Sequence, residues 1–108
     1  MNKEIILTTT EEVPGRKIKK ILGVVRGSTV RARNIGRDFA ASLKNIVGGE
    51  IKTYTELTEH SRDEAFNRMV NKAIDLGADA VVGIRFSTSM VMQGASEMLA
   101  FGTAVKLD

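Results

Sequence analysis

The chain has 108 residues, the size of one domain, since an independent core usually needs about 100–150 residues. At 43% hydrophobic and 27% charged residues it has an ordinary globular composition, which excludes the disordered and fibrous classes. With no cysteine it can build neither a disulfide framework nor a thiolate metal site, and the net charge of +3 is modest.

The charge is unevenly spread. Arg16, Lys17, Lys19, Lys20, Arg26, Arg31, Arg33 and Arg37 fall in a segment without an acid. The remainder of the chain is acidic on balance, so the basic segment is a candidate surface for anions. No stretch reaches the roughly 20 apolar residues that span a bilayer. Met1 to Leu7 turns polar too quickly for a signal peptide, so a cytoplasmic location is expected.

In chain order, a short strand is expected at about Glu4–Thr8, closed by a turn at Pro14-Gly15. A longer strand follows from Lys17 to Ala32, rich in β-branched residues, with Gly23 and Gly27 as candidate bulge or close-approach points. The period then changes. Ile35, Phe39, Leu43 and Ile46/Val47 recur at helical spacing up to Gly48-Gly49. A second helical stripe joins Tyr54, Leu57, Ser61, Ala65, Met69, Ala73 and Leu76, predicting a helix from about Glu50 to Leu76 that stops at Gly77. Ser61 with Glu64 resembles a capping box, but the stripe keeps its phase through that point, which favours one helix over two. Ala80–Met92 and Ser96–Leu107 read as a hairpin around Gly94. The order β-β-α-α-β-β over a single domain, 1–108, predicts an α+β fold with both helices on one face of an antiparallel sheet.

The strands carry a further signal. Val82, Ile84 and Phe86 are expected on one face, as are Leu99, Phe101, Val105 and Leu107, with Ala100, Gly102 and Ala104 forming a small-residue stripe on the other. Ile21–Val25 is apolar on both faces. Two helices cover one face of a four-stranded sheet, so the second face calls for a neighbouring copy, placed at the stripe and at Ile21–Val25. The competing reading is that strands bury both faces within one chain.

The run Gly48-Gly49-Glu50-Ile51-Lys52-Thr53-Tyr54-Thr55-Glu56-Leu57, then Arg62-Asp63-Glu64-Ala65, Leu76-Gly77-Ala78-Asp79-Ala80-Val81-Val82-Gly83-Ile84-Arg85-Phe86 and Ala100-Phe101-Gly102-Thr103-Ala104-Val105, resembles the YbjQ-like family of small bacterial proteins across nearly the whole chain. That family carries a heavy-metal-binding label. The resemblance implies a compact α+β subunit assembled with itself as a ring, a pentamer, and carries over no catalytic residue.

Three chemistries fit the residues. His60 has Glu56 and Glu64 one turn away on the same helical face, a carboxylate–imidazole arrangement that could hold a metal ion, or equally a solvated helix face. Met90, Met92 and Met98 could offer thioethers, or fill gaps in a core or an interface. Arg31, Arg33 and Arg37 at the strand-to-helix transition could bind phosphate-bearing partners, although the absence of aromatic platforms there speaks against nucleic acid. Glu50, Tyr54 and Glu97 are the polar residues that could form a ligand site, or a catalytic one, shared between subunits. No phosphate-binding loop, nucleophile elbow or zinc-protease signature is present. The leading expectation is a non-enzymatic oligomer that binds a metal ion or small ligand at its subunit boundaries. A basic binding module comes next, then an enzyme with a shared site.

Overall fold

In a computed structural model, the structure describes residues 4–31 and 52–108, with side chains described for 4–30 and 59–108. The helix expected over 35–47, its Gly48-Gly49 end, Glu50, Arg33 and Arg37 lie outside the described residues. Four strands and one helix are described: β1 (Ile6–Leu7), β2 (Ile18–Arg31), α1 (Lys52–Asp75), β3 (Ala80–Met92) and β4 (Ala95–Leu107). The expected boundaries of β3 hold at both ends, and those of β4, the start of β2 and the end of α1 hold to within one residue; the expected end of β2 at Ala32 and start of α1 at Glu50 lie outside the described residues.

The strands form one sheet in the order β1-β3-β4-β2. It is mixed, not antiparallel as expected: β4 runs antiparallel to both neighbours, but β1 pairs parallel with β3 through Ile6–Ala80 and Leu7–Val81. Two residues of strand carry no turn signal that would define their direction, and β1 is placed by the far end of the chain.

α1 lies across one face. Ser61, Ala65, Met69 and Ala73 are its buried stripe, spaced by four residues so that they share one side. Ala65, Met69 and Ala73 pack on Val25, Val81, Ile84, Met98, Ala100 and Ala104, with Phe66 and Val70 flanking. Met69 is fully buried, and its side chain alone contributes about 1.5–3 kcal/mol. Ser61 caps nothing. It sits inside the continuous helix, and its carbonyl accepts the Thr29 hydroxyl at 3.2 Å. The helix ends where Gly77 takes φ +78°, its N–H donating to Ile74 O at 2.9 Å while Ala78 N–H donates to Ala73 O at 3.1 Å, a Schellman closure.

The helix sits on Gly27, Ala100 and Ala104, whereas a Cβ on Gly102 would meet Val81 and Ile84 of β3. A Cβ on Gly27 would overlap Ala65 O and Met69 N and lie 2.7 Å from Arg68 Cβ. This confirms Gly27 as a close-approach point and corrects the assembly reading: Ala100 and Ala104 are fully buried beneath the chain's own helix, so the stripe is no surface for another copy.

A second correction concerns β3. The register with β4 slips between Val82 and Arg85, around Gly83 at φ +63°. The extra residue resets the alternation. Val82 therefore joins the outer face with Ala80, Val105 and Leu107, while Ile84 packs in the helix-side core and Phe86 stacks on Phe66 of α1 with ring centroids 6.1 Å apart.

The outer face is half covered by the chain itself. Residues 8–16 run along β3: Gly83 N–H donates to Thr10 O at 2.8 Å, Ile84 N–H to Thr8 O at 3.1 Å, and Arg85 to Thr9 O at 2.8 Å. Val13, closed by the Pro14-Gly15 turn, packs on Ala80, Val82, Val105 and Leu107. The reading that strands bury both faces within one chain is thus right for this half of the sheet.

Candidate functional site

The other half of the outer face is open. Along β2, Ile21, Val24 and Val30 are 67%, 75% and 54% exposed. On the same face of β4, Leu99 opposite Ser28 and Phe101 opposite Arg26 are both half-buried. Gly23, with φ +136°, lies at a register slip against β4, which turns Ile21 and Val24 to the same face three residues apart. β2 pairs with β4 along one side, and among the described residues no strand pairs with its other side. A fourteen-residue edge with exposed β-branched side chains is unprotected by the usual standards of edge strands, although Lys19, Lys20 and Arg26 add charge to it.

The sequence-predicted residues divide by place. His60 and Glu64 are brought together, Nε2 to Oε1 at 3.6 Å on adjacent turns of α1, both partly solvated. Glu56 belongs to the same helix, with its side chain outside the described residues. Among the described residues no three His, Cys, Asp or Glu side chains gather as a metal site. One chain's described donors are therefore fewer than the four of a tetrahedral soft-metal site, and a complete set needs Glu56 or donors from another copy. Glu97 pairs with Val30 and Ser89 on the outer face, whereas Tyr54 belongs to α1 on the other side of the sheet. Arg31 closes β2 opposite Ser96, its side chain not described.

The methionines separate. Met98 is buried in the helix-side core and its Sδ accepts the Thr88 hydroxyl at 3.2 Å. Met90 and Met92 stand exposed near the Gly94 turn with Val91.

Sequence reasoning missed one constellation. Lys19, Lys20, Asp79, Lys106 and Leu107 line a shallow cleft of about 300 Å³. Lys20 pairs directly with Lys106 across β2 and β4. Asp79 is anchored there: its Oδ2 accepts Leu107 N–H at 2.8 Å and its Oδ1 stands 3.9 Å from Lys106 Nζ. A charge count of the basic segment contained Lys19 and Lys20, but Lys106 lies outside it, and only strand register brings the three together.

No helix among the described residues is long and apolar enough to cross a membrane. Residues 5–108 match the YbjQ_1 family model, described as “Putative heavy-metal-binding”. The chain is 62% identical over 107 residues to a UPF0145 protein of Archaeoglobus fulgidus, covering 99% of both. It is 59% identical over 103 residues to one of Shewanella frigidimarina, 95% of this chain and 96% of that one, and 55% identical over 104 residues to one of Thermotoga maritima, 96% and 98%. The archaeal relative extends the kinship beyond the bacteria to which the resemblance alone confined it. A solved structure of a protein of unknown function from Pediococcus pentosaceus superposes with a TM-score of 0.64 at 19% identity, covering 96% of this chain and 98% of that one, a likeness of fold alone.

Proposed function

This chain belongs to the YbjQ_1 family, and from that premise we propose that it works in the cytoplasm as a non-enzymatic homo-oligomer, a ring of five copies, that holds a metal ion or small ligand where subunits meet. The observation that carries the reading is the open half of the outer face: Ile21, Val24 and Val30 exposed beside half-buried Leu99 and Phe101, on an edge strand whose far side no described strand pairs. Burying three such side chains is worth about 1.5–3 kcal/mol each. A subunit interface is the economical cover for a surface that recurs on every copy.

The boundary ligand is supported by the division of polar residues between the two sides of the sheet. Glu97 faces outward on β4, while His60 and Glu64, with Glu56 on the same helix, stand on the opposite side, so a neighbour's donors can complete what one chain leaves short. Arg31 at the end of β2, with Arg33 and Arg37 following it in sequence, is the positive charge we propose for an anionic ligand.

Mass measurement in solution tests the assembly. The expected wild-type mass is five times that of the chain at micromolar concentration, and Val24→Lys, which sets a charge in the proposed contact, shifts it to smaller species with the circular dichroism spectrum preserved. A monodisperse wild-type monomer would sink the reading. The ligand half is tested by elemental analysis and by unfolding with added copper, zinc or nickel. A stoichiometric metal, or a raised midpoint lost in His60→Ala, is expected; protein with neither has no metal at this boundary.

A further inference from the structure

The cleft at the base of β2 and β4 combines features that ordinary strand chemistry avoids. Lys20 and Lys106 are direct cross-strand partners, and like charges in that position oppose strand pairing. The register slips between Ile18 and Lys20, so Lys19 does not alternate away to the other face. Both consecutive lysines line the same cleft as Lys106. Lys19 and Lys20 form no ion pair among the described residues, and the one carboxylate present, Asp79, is held by the Leu107 amide and faces Lys106 from 3.9 Å. Among the described lining residues, three lysines against one carboxylate leave an excess of two positive charges around a cleft of about 300 Å³.

We propose that this cleft is an anion site that takes a doubly charged phosphate group, free or as the head of a small phosphomonoester. Three lysines on two strands line one cleft, compact point charges that suit a tetrahedral dianion, and Lys106 Nζ is held between the fixed Asp79 and the helix end at Gly77. Such an anion turns the Lys20–Lys106 repulsion into two attractions. All the residues belong to one chain. Because the lysines are solvated, screening sets a weak affinity, with a dissociation constant on the order of 1 mM at low salt.

The test is a titration of the ¹⁵N-labelled full chain with inorganic phosphate at fixed ionic strength, with chloride as the matched control and the oligomeric mass followed in the same samples. Saturable amide shifts confined to the neighbourhood of Lys19, Lys20, Asp79 and Lys106 are expected, with affinity falling at least tenfold in Lys20→Gln/Lys106→Gln and unchanged in Arg26→Gln. Glycerol phosphate binds at least as well as inorganic phosphate if the site accepts a monoester. Shifts that chloride reproduces, or an affinity the double variant keeps, would overturn the site. A short oligonucleotide that shifts the same amides at a hundredfold lower concentration than phosphate would overturn the small-ligand assignment in favour of a nucleic-acid backbone. As a check that needs no ligand, Lys20→Gln in phosphate-free buffer should unfold at or above the wild-type midpoint, because it relieves a like-charge pair. A lower midpoint would show the lysines to be structural and end the argument.

Discussion

Gly27→Ala adds one methyl group where the chain has no room for it. The backbone at Gly27 is ordinary strand, without the left-handed torsion that would itself penalise a side chain, so the effect comes from contact alone. The methyl carbon would overlap Ala65 O and Met69 N and press on Arg68 Cβ at 2.7 Å. Two of these three are backbone atoms of α1, which cannot rotate away as a side-chain tip could. The helix must lift, and lifting it loosens Ala65 and Met69 from Val25 and Ala100. Overpacking of this kind costs about 1–3 kcal/mol. The reduced freedom of the unfolded chain gives back about 0.4–1 kcal/mol. With backbone on the far side of the contact, the net is set at about 2 kcal/mol, which for a domain of this size lowers the unfolding midpoint by about 8–16 °C. The assay is thermal unfolding followed by circular dichroism at one fixed protein concentration, since any assembly makes the midpoint concentration-dependent. Ser28→Ala, on the next residue and the opposite face, is the control and moves the midpoint little. A Gly27→Ala midpoint within about 2 °C of wild type, near 0.5 kcal/mol, would refute the close approach of α1 to β2.

Other substitutions probe the remaining joints. Met69→Ala empties the centre of the helix-side core and should cost about 2–5 kcal/mol in urea unfolding; a loss below 1 kcal/mol would mean the helix does not seat there. Gly83→Ala forces a side chain into φ +63° beside the Glu11 carboxylate, 3.5 Å away, and should cost about 1–2 kcal/mol while shifting amide resonances along residues 8–12. Thr29→Val removes the hydroxyl that donates to Ser61 O and should cost about 1 kcal/mol, with hydrogen exchange in the middle of α1 accelerated; unchanged exchange would show the bond to be idle.

The candidate site was legible only where it is local. His60 and Glu64 follow from helical spacing, because one turn fixes their distance, and they stand 3.6 Å apart. Glu97 could be named as an exposed acid but not assigned a side of the sheet relative to Tyr54. The lysine cleft was illegible. Lys20 and Lys106 are far apart in the chain, and no pattern within either strand states that a register slip will set them opposite each other.

The fold divides in the same way. Period and punctuation by themselves determined β2, α1, β3 and β4: alternation marks the strands, the four-residue stripe from Ser61 to Ala73 marks the helix, and Gly77 and Gly94 adopt the left-handed torsions that stop one element and turn the next. These are short-range effects of backbone sterics, carried by each segment wherever it lies. Tertiary structure alone decided what covers each surface. A row of small residues such as Ala100, Gly102 and Ala104 states that something approaches closely, not whether it is the chain itself or another copy, and here α1 packs on Ala100 and Ala104 while β3 side chains crowd Gly102. One inserted residue at Gly83 moved Val82 from the face it was expected to share with Ile84, because a strand's sides are counted in steps of two. The parallel pairing of β1 with β3 arises from contacts across most of the chain's length, which no local pattern encodes.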